Sequence, residues 1–247
     1  MKDSIKKVTI CLVKTFLYCI KHKSHSFISI LLLSPHPDDE IFGLGGIILQ
    51  TLQQGGKVHI AYLTDGEGSG VWPDKEEIGR NRITLSEKVC DTLGLRPEDI
   101  TRLHMADGAV PHPGQTGFPE AVKQIKGLIE TLKPDAVFAT HTLDYWPFDH
   151  VACAHIAREA VNQAEHKTQL WYYWVWAWHK VRPWQMLKIK FRKLQKIDIR
   201  DQMAEKKALM DIYLNAVTPD GKPWAGVLPK PLLGAFNYPV EIVERII

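Results

Sequence analysis

The chain has 247 residues, of which 45% are hydrophobic and 24% charged, an ordinary composition for a folded protein with a full core. Its net charge of +3 gives no signature of a nucleic-acid binder, and its four cysteines lack the spacing of a zinc finger or a disulfide framework. We therefore expect a protein of a reducing, cytoplasmic compartment that does not bind nucleic acid.

The first 24 residues combine apolar and basic side chains and are predicted to form a helix of their own. Their apolar part, residues 8–20, is interrupted by Lys14 and is shorter than the roughly 20 residues that span a bilayer. Three interpretations stay open: a helix packed on the domain, an interfacial helix on an anionic membrane, or a cleaved signal peptide. The second predicts peripheral association through residues 8–20 with the inner membrane face.

Residues 25–247 are predicted to form a single α/β domain with a C-terminal extension from about residue 185. Strands are predicted at 27–33, 57–64, 99–105, 135–140 and 170–178. Helices are predicted at 43–56, 76–95, 118–134 and 150–166, and the tail is basic to about 200, helical to 214, then rich in Pro and Gly. This alternation predicts a Rossmann-like, mostly parallel sheet sandwiched by helices.

The stretch SILLLSPHPDDEIFGLGG, residues 29–46, places charged side chains directly after a buried strand. Ligands of open α/β sheets bind at the carboxyl ends of the strands, so this position is where an α/β enzyme keeps its chemistry. His36 and Asp39 are three residues apart in a turn that enters a helix, and their side chains can converge on one point. A catalytic zinc site needs a third protein ligand and leaves one position for water.

The third ligand is expected from another strand end. The strand predicted to end at residue 140 leads into a segment with several potential ligands, namely His141, Asp144, Asp149, His150 and His155. His150 opens the next helix and is the natural choice. Asp149 beside it could accept the second ring proton of His150, hold a neighbouring group, or cap the helix.

The string PHPDDEIFGLGG resembles the first motif of the PIG-L/LmbE-like family of zinc-dependent N-acetylglucosaminyl deacetylases, and the later FDH resembles the end of its HPDH motif. DGEGSG and LHMADGAV stand where the family places its substrate loops. The similarity runs from about residue 28 to 165, with a weaker echo at 204–217. It implies that His36, Asp39 and His150 bind Zn²⁺, that Asp38 is the general base, and that an N-acetylated amino sugar, lipid- or nucleotide-linked, is deacetylated.

Further roles also follow from the resemblance. Arg80 and Arg82 lie early in a predicted helix where the family uses an Arg on the sugar, although solvated helix charges are an equal alternative. Asp107 could bind a sugar hydroxyl or make an Asx turn. Tyr145 corresponds to a Tyr of some members and could stabilise the oxyanion, with His141 and His155 as other candidates.

The chain departs from the family at one position of the second motif. Pro147 stands where HPDH begins with a His that contacts the transition state, and proline offers no side-chain donor. The main alternative function is therefore a catalytically impaired member that binds metal or sugar. Magnesium-dependent phosphoryl transfer is disfavoured, because two imidazole ligands do not suit Mg²⁺. The expected partner is a small-molecule or glycan substrate, and no oligomeric state is predicted.

Overall fold

The computed structural model describes residues 26–180 and 193–247. The helix predicted over residues 1–24, including the proposed membrane segment 8–20, lies outside these ranges. Within the described ranges, no helix has both the length and the apolar character needed to cross a membrane.

A seven-stranded sheet forms the centre of the described structure. Its strands are β1 (Ser29–Ser34), β2 (Lys57–Thr64), β3 (Ile100–Met105), β4 (Ala136–Thr140), β5 (Gln169–Tyr173), β6 (Leu194–Asp198) and β7 (Val240–Arg245). Their order across the sheet is β3-β2-β1-β4-β5-β7-β6. The first five are parallel, and β7 is antiparallel to both of its neighbours. The predicted mostly parallel sheet is confirmed.

Helices cover both faces of the sheet. They are α1 (Asp39–Gln53), α2 (Lys75–Thr92), α3 (Phe118–Leu132), α4 (Phe148–Gln163), α5 (Ala177–Lys180), α6 (Met203–Asn215) and α7 (Lys230–Phe236). Because side chains point alternately to the two faces of a sheet, β1 contributes to two hydrophobic clusters, one on each face. Its Ile30 and Leu32 pack in the cluster that includes α1 and α6, whereas Leu31 and Leu33 pack with α3 and α4.

Helix α1 begins at Asp39, four residues before the predicted start at residue 43. The predicted helix already included the three glycines of GLGG, although glycine is a poor helix former. The fold requires two of them, since a Cβ at Gly43 would overlap the ring of Tyr173 and one at Gly46 would overlap Ile199. Asp39 and Glu40 of the motif lie in the first turn of α1, and Asp38 immediately precedes it.

Strand β5 ends at Tyr173, five residues before the predicted end at residue 178. The tryptophan-rich segment leaves the sheet because the carboxylate of Asp144 accepts hydrogen bonds from the backbone N–H groups of Val175 and Ala177. Trp171 and Trp174 of this segment are fully buried.

The C-terminal extension supplies the last two strands of the sheet, which were not predicted from the sequence. Strand β7 pairs with β5, and its buried Glu241 accepts hydrogen bonds from the backbone N–H groups of Gly46 and Ile47 at 2.7 and 2.9 Å. Lys206 of α6 lies 2.6 Å from the same carboxylate and donates to the carbonyl of Phe42. The extension is thus tied to the helix that carries the first motif.

Candidate metal centre and active-site cavity

The two polar clusters meet at the carboxyl edge of neighbouring strands. His36, Asp38 and Asp39 follow β1, and Asp149 and His150 occupy the first turn of α4, which follows β4. Strands β1 and β4 are hydrogen-bonded to each other, so their carboxyl ends lie side by side. The first motif and the FDH segment therefore face one point, although more than 100 residues separate them in the chain.

Three side chains form a compact candidate metal site. Nδ1 of His36 and Nε2 of His150 lie 3.1 and 3.2 Å from the same oxygen, Oδ2 of Asp39. One ligand atom from each residue lies within 4.8 Å of the other two, and all three residues are buried. Tetrahedral bonds of about 2.0–2.1 Å hold ligand atoms about 3.3 Å apart, so this spacing fits a zinc-sized ion.

The charges within this cluster depend on one another. Burial lowers the pKa of His150, but the carboxylates of Asp39 and Asp144 outweigh it and raise that pKa to about 9. Burial likewise opposes the charge on His36, yet the carboxylates around its ring raise its pKa well above the usual value. Burial raises the pKa of Asp39, but the two imidazoles outweigh it and bring the pKa below its usual value. The site therefore concentrates negative charge that attracts either protons or a cation.

One buried nitrogen atom is further evidence that the site binds a cation. Nε2 of His150 is shielded from solvent and, although it lies 3.2 Å from Oδ2 of Asp39, it forms no aligned hydrogen bond with any group in the described part of the chain. A buried nitrogen without a partner destabilises the folded protein. The cost is removed when the nitrogen carries a proton that is hydrogen-bonded to an acceptor, or when it binds a metal ion. With a carboxylate oxygen and a second imidazole nitrogen beside it, the donor set is the one that zinc prefers.

The imidazole of His150 is oriented by Asp144. Oδ2 of Asp144 lies 3.3 Å from Nδ1 of His150, and both residues are completely buried. Of the alternatives left open for Asp149, the structure therefore favours the second, since Asp149 contacts the neighbouring His36 and not this ring nitrogen of His150. Asp144 reaches this nitrogen because the segment after β4 makes a turn, in which the N–H of Asp144 donates to the carbonyl of His141.

Asp149 instead connects His36 to the loop after β3. Its Oδ2 lies 3.2 Å from Nε2 of His36, and its two oxygens accept hydrogen bonds from the backbone N–H groups of Gly108 and Val110. Asp107 of the same loop also lies 3.2 Å from Nε2 of His36. Burial raises the pKa of Asp107, but the contact with His36 and the amide of Gly68 lower it to about 2. Both carboxylates therefore orient the candidate ligand His36.

Asp38 has an unusual backbone and a charged partner. Its φ of 129° lies in a region that disfavours side chains, and such outliers cluster at functional sites. Arg82 is 4% exposed and places Nη2 3.1 Å from Oδ2 of Asp38. Burial raises the pKa of Asp38 well above its usual value, although the guanidinium opposes the shift. The strained turn thus directs a carboxylate into the site beside the metal cluster.

The comparison with known families identifies the chain. The profile of the PIG-L family, described as GlcNAc-PI de-N-acetylase, matches residues 31–161, more than half of the 247 residues. This range contains both polar clusters. The chain belongs to the PIG-L family.

Solved structures similar to this PIG-L family member share its fold. N,N'-diacetylchitobiose deacetylase from Pyrococcus horikoshii, complexed with its inhibitor MPG, matches with a TM-score of 0.61 and 20% identity over 87% of this chain and 80% of that chain. The A40926 pseudoaglycone deacetylase Dbv21 matches with a TM-score of 0.62 and 18% identity over 89% and 97%. GalB, the 4-carboxy-2-hydroxymuconate hydratase from Pseudomonas putida KT2440, matches with a TM-score of 0.59 and 17% identity over 89% and 96%. One fold therefore carries deacetylases and a hydratase.

Two glycines let the DGEGSG loop of this PIG-L family member approach the site. The carbonyl of Gly66 accepts a hydrogen bond from Nη1 of Arg82 at 3.2 Å, and the N–H of Gly68 donates to Asp107 at 2.7 Å. A Cβ on Gly66 would lie 2.5 Å from Nε of Arg82, and one on Gly68 would lie 2.8 Å from the carboxyl carbon of Asp107. The loop therefore packs directly against two of the predicted substrate-binding residues.

Two other predicted residues do not join the cluster. Arg80 is an exposed side chain that pairs with Asp74 and Glu76 on the surface of α2, so it follows the alternative of a solvated helix charge. Tyr145 is half-buried and is not among the residues that line the cavity at the site. The oxyanion role of Tyr145 stays a prediction from the sequence.

The weaker sequence similarity at residues 204–217 falls on α6, which contacts the first motif. The hydroxyl of Tyr213, on α6, donates a hydrogen bond to Oε1 of Glu40, and Oε2 of Glu40 accepts from the backbone N–H of Asp38 and from Ser34. Glu40 is fully buried and supports the turn, in line with a structural rather than chemical role. The contact joins β1, α1 and α6 beneath the candidate metal site.

Proposed function

We propose that the chain is a zinc-dependent hydrolase that removes the acetyl group from an N-acetylated amino sugar of the N-acetylglucosamine type. The observation that carries the proposal is the convergence of His36, Asp39 and His150 beside the carboxylate of Asp38. Membership of the PIG-L family supports deacetylation over the hydratase chemistry that the same fold also carries.

The roles of the side chains follow from their positions. His36, Asp39 and His150 would hold the ion, which supplies an electrophilic centre and makes water more acidic when bound. Asp38 would take the proton of the attacking water and return it to the departing amine, so that water and amide become acetate and free amine. Asp149 and Asp107 would hold His36 in place, and Arg82 would orient Asp38.

A member impaired in catalysis remains the alternative, because Pro147 immediately precedes α4 where the family motif has a histidine. In that case the cluster would bind metal and sugar without turnover. The decisive measurement is acetate release from methyl N-acetyl-β-glucosaminide by the zinc-loaded chain, together with the zinc content by elemental analysis. Stoichiometric zinc without acetate release would favour the impaired member.

Variants separate the roles. Asp38→Asn is expected to keep zinc and lose turnover by about 10²–10⁴-fold, the usual contribution of a general base. His36→Ala or His150→Ala is expected to lose zinc and activity together. The control is His166→Ala, whose Nε2 contacts the carbonyl of Pro134 at the opposite edge of the sheet. Loss of zinc in Asp38→Asn would mean that Asp38 is a ligand and that the proposed roles are misassigned.

We also propose a cytoplasmic location with peripheral membrane association through residues 8–20, which would suit a lipid-linked sugar. The proposal rests on the lysines around this apolar segment, each worth about 1 kcal/mol near an anionic surface. Sedimentation with anionic vesicles of the full chain and of a chain without residues 1–25 tests it. Equal binding by both chains would contradict it.

A further inference from the structure

The cavity at the candidate metal site has a polar floor and an apolar wall. It has a volume of about 330 Å³, and His36, Asp38, Asp39, Arg82 and Asp107 contribute to its floor. The wall is formed by Trp146, Phe148, Trp176, Val227, Leu228 and Leu232. The charged side chains that line the cavity are therefore the candidate ligands and the residues in contact with their motif.

The wall exposes apolar surface to an unusual degree. Six large hydrophobic side chains are exposed in the described residues, and three of them line this one cavity: Trp146 is 45% exposed, Phe148 66% and Val227 68%. The ring of Trp146 meets that of Trp176 edge to face, with centroids 5.0 Å apart. Contiguous exposed apolar surface marks a binding site more often than scattered single residues do.

Most of this wall comes from segments beyond the part that matches the family. Trp176 follows β5, Val227 and Leu228 precede α7, and Leu232 lies within it, all outside residues 31–161. The segment after β5 and the C-terminal extension therefore supply most of the wall, outside the residues that the family profile matches.

We propose that this wall binds an apolar group, alkyl or aromatic, that the substrate carries next to its amino-sugar head. The proposal rests on the proposed function for the position of the head, which the polar floor and the metal cluster would take. Aliphatic side chains such as Val227, Leu228 and Leu232 offer no partner to a hydroxyl, so a second sugar unit would leave its polar groups unsatisfied there. An apolar group would instead remove both surfaces from water.

The apolar group could be joined to the head in two ways, through the glycosidic oxygen or through the acylated nitrogen. The glycosidic linkage is tested by comparing the binding of octyl β-glucosaminide with that of methyl β-glucosaminide. Neither compound carries an acyl group, so neither is turned over. N-octanoyl against N-acetyl glucosamine compares the second. Binding is measured by isothermal titration to the zinc-loaded full chain, with octyl compounds kept below their micelle-forming concentration.

The expected result is a preference for the octyl compound in at least one arm. Each buried methylene is worth about a fourfold gain in affinity, so a partly buried chain should bind at least about tenfold tighter than the short compound. Val227→Asp or Trp146→Ala should reduce this ratio several-fold. The matched control is Val217→Asp, because Val217 is 49% exposed and does not line the cavity.

Equal binding of long and short compounds in both arms would overturn the proposal, and so would failure to bind any of them. A preference that neither Val227→Asp nor Trp146→Ala reduces would also overturn it, since the chain would then bind elsewhere. Absence of acetate release from every N-acetyl glycoside, with the octyl preference intact, would refute the deacetylase function and leave the apolar subsite standing.

Discussion

Nη2 of Arg82 donates to the carbonyl of Pro37 at 2.6 Å and lies 3.1 Å from Oδ2 of Asp38. One buried guanidinium nitrogen thus binds both the backbone and the side chain of the strained turn that follows β1. The arginine therefore holds the carboxylate proposed as general base, which gives it a positioning role beside the substrate-binding role predicted from the sequence.

Replacement of this arginine should impair turnover without loss of metal. In Arg82→Met we expect kcat to fall by about 10²-fold, the effect of a small misplacement of a reacting group. Because the guanidinium lowers the pKa of Asp38, its removal should also move the acid limb of the pH–rate profile to higher pH. Lys88→Met, an exposed cation on the same helix, is the control. An unchanged acid limb would argue against a contact between Arg82 and the base during catalysis.

The contact between Asp144 and His150 should control metal affinity. Loss of a carboxylate that orients a ligating imidazole typically weakens metal binding by about 10–100-fold, and we expect this for Asp144→Asn. Competition titration with a chromogenic chelator measures the change, and Asp91→Asn, an exposed acid of α2, is the control. Because Asp144 also binds the backbone of Val175 and Ala177, thermal unfolding of the apo-protein must be measured alongside. Wild-type metal affinity in a folded Asp144→Asn variant would refute the orienting role.

Metal affinity should rise with pH. The pKa of His150 is raised to about 9 in the metal-free protein, so its imidazole carries a proton at neutral pH that a metal must displace. Each displaced proton changes the apparent affinity about tenfold per pH unit below that pKa. Zinc binding measured between pH 6 and 9, with the released protons followed in a weakly buffered solution, checks the slope. A pH-independent affinity would contradict a protonated His150 in the apo-protein.

The raised pKa of His150 should make the stability of the apo-protein fall as the pH rises, whereas zinc affinity rises. A histidine whose pKa is higher in the folded than in the unfolded chain stabilises the fold below its unfolded pKa of about 6.5. That stabilisation is lost as the pH rises through about 9. Urea unfolding should therefore show the stability gained from zinc increasing over this range, because the apo-protein weakens while zinc binding strengthens.

The buried pair of Lys206 and Glu241 should matter for stability rather than for chemistry. Both side chains are 2% exposed, and removal of one partner of such a pair leaves a buried charge without compensation. We expect Lys206→Met to lower the free energy of unfolding by about 3–5 kcal/mol. The neighbouring Lys207→Met, at an exposed position, is the matched control in urea unfolding. Equal stability of the two variants would show that the hydrogen bonds from Gly46 and Ile47 are enough for Glu241.

The order of strands and helices through residue 173 was predictable because buried parallel strands read as continuous apolar runs between amphipathic helices. Strands β6 and β7 were not, since β6 lies in the basic stretch before residue 200, β7 follows the Pro- and Gly-rich tail, and short antiparallel strands carry little local signal. The pairing of β7 with β5 depends on contacts between distant parts of the chain. The glycines of α1 also depend on tertiary contacts, because Gly43 and Gly46 pack closely against Tyr173 and Ile199 and do not follow helix propensity.

The amino-acid sequence by itself determined the candidate ligand set: a histidine and an aspartate three residues apart after one strand, and a histidine at the start of a helix after another. Only the tertiary structure decided which charged side chain contacts which candidate ligand or base. Asp144 rather than the adjacent Asp149 holds His150, and Arg82 reaches Asp38 from a helix more than 40 residues away. The physical reason is that motif spacing fixes local side-chain direction, whereas the partner of a buried charge is set by which backbone segments the sheet brings to the same edge.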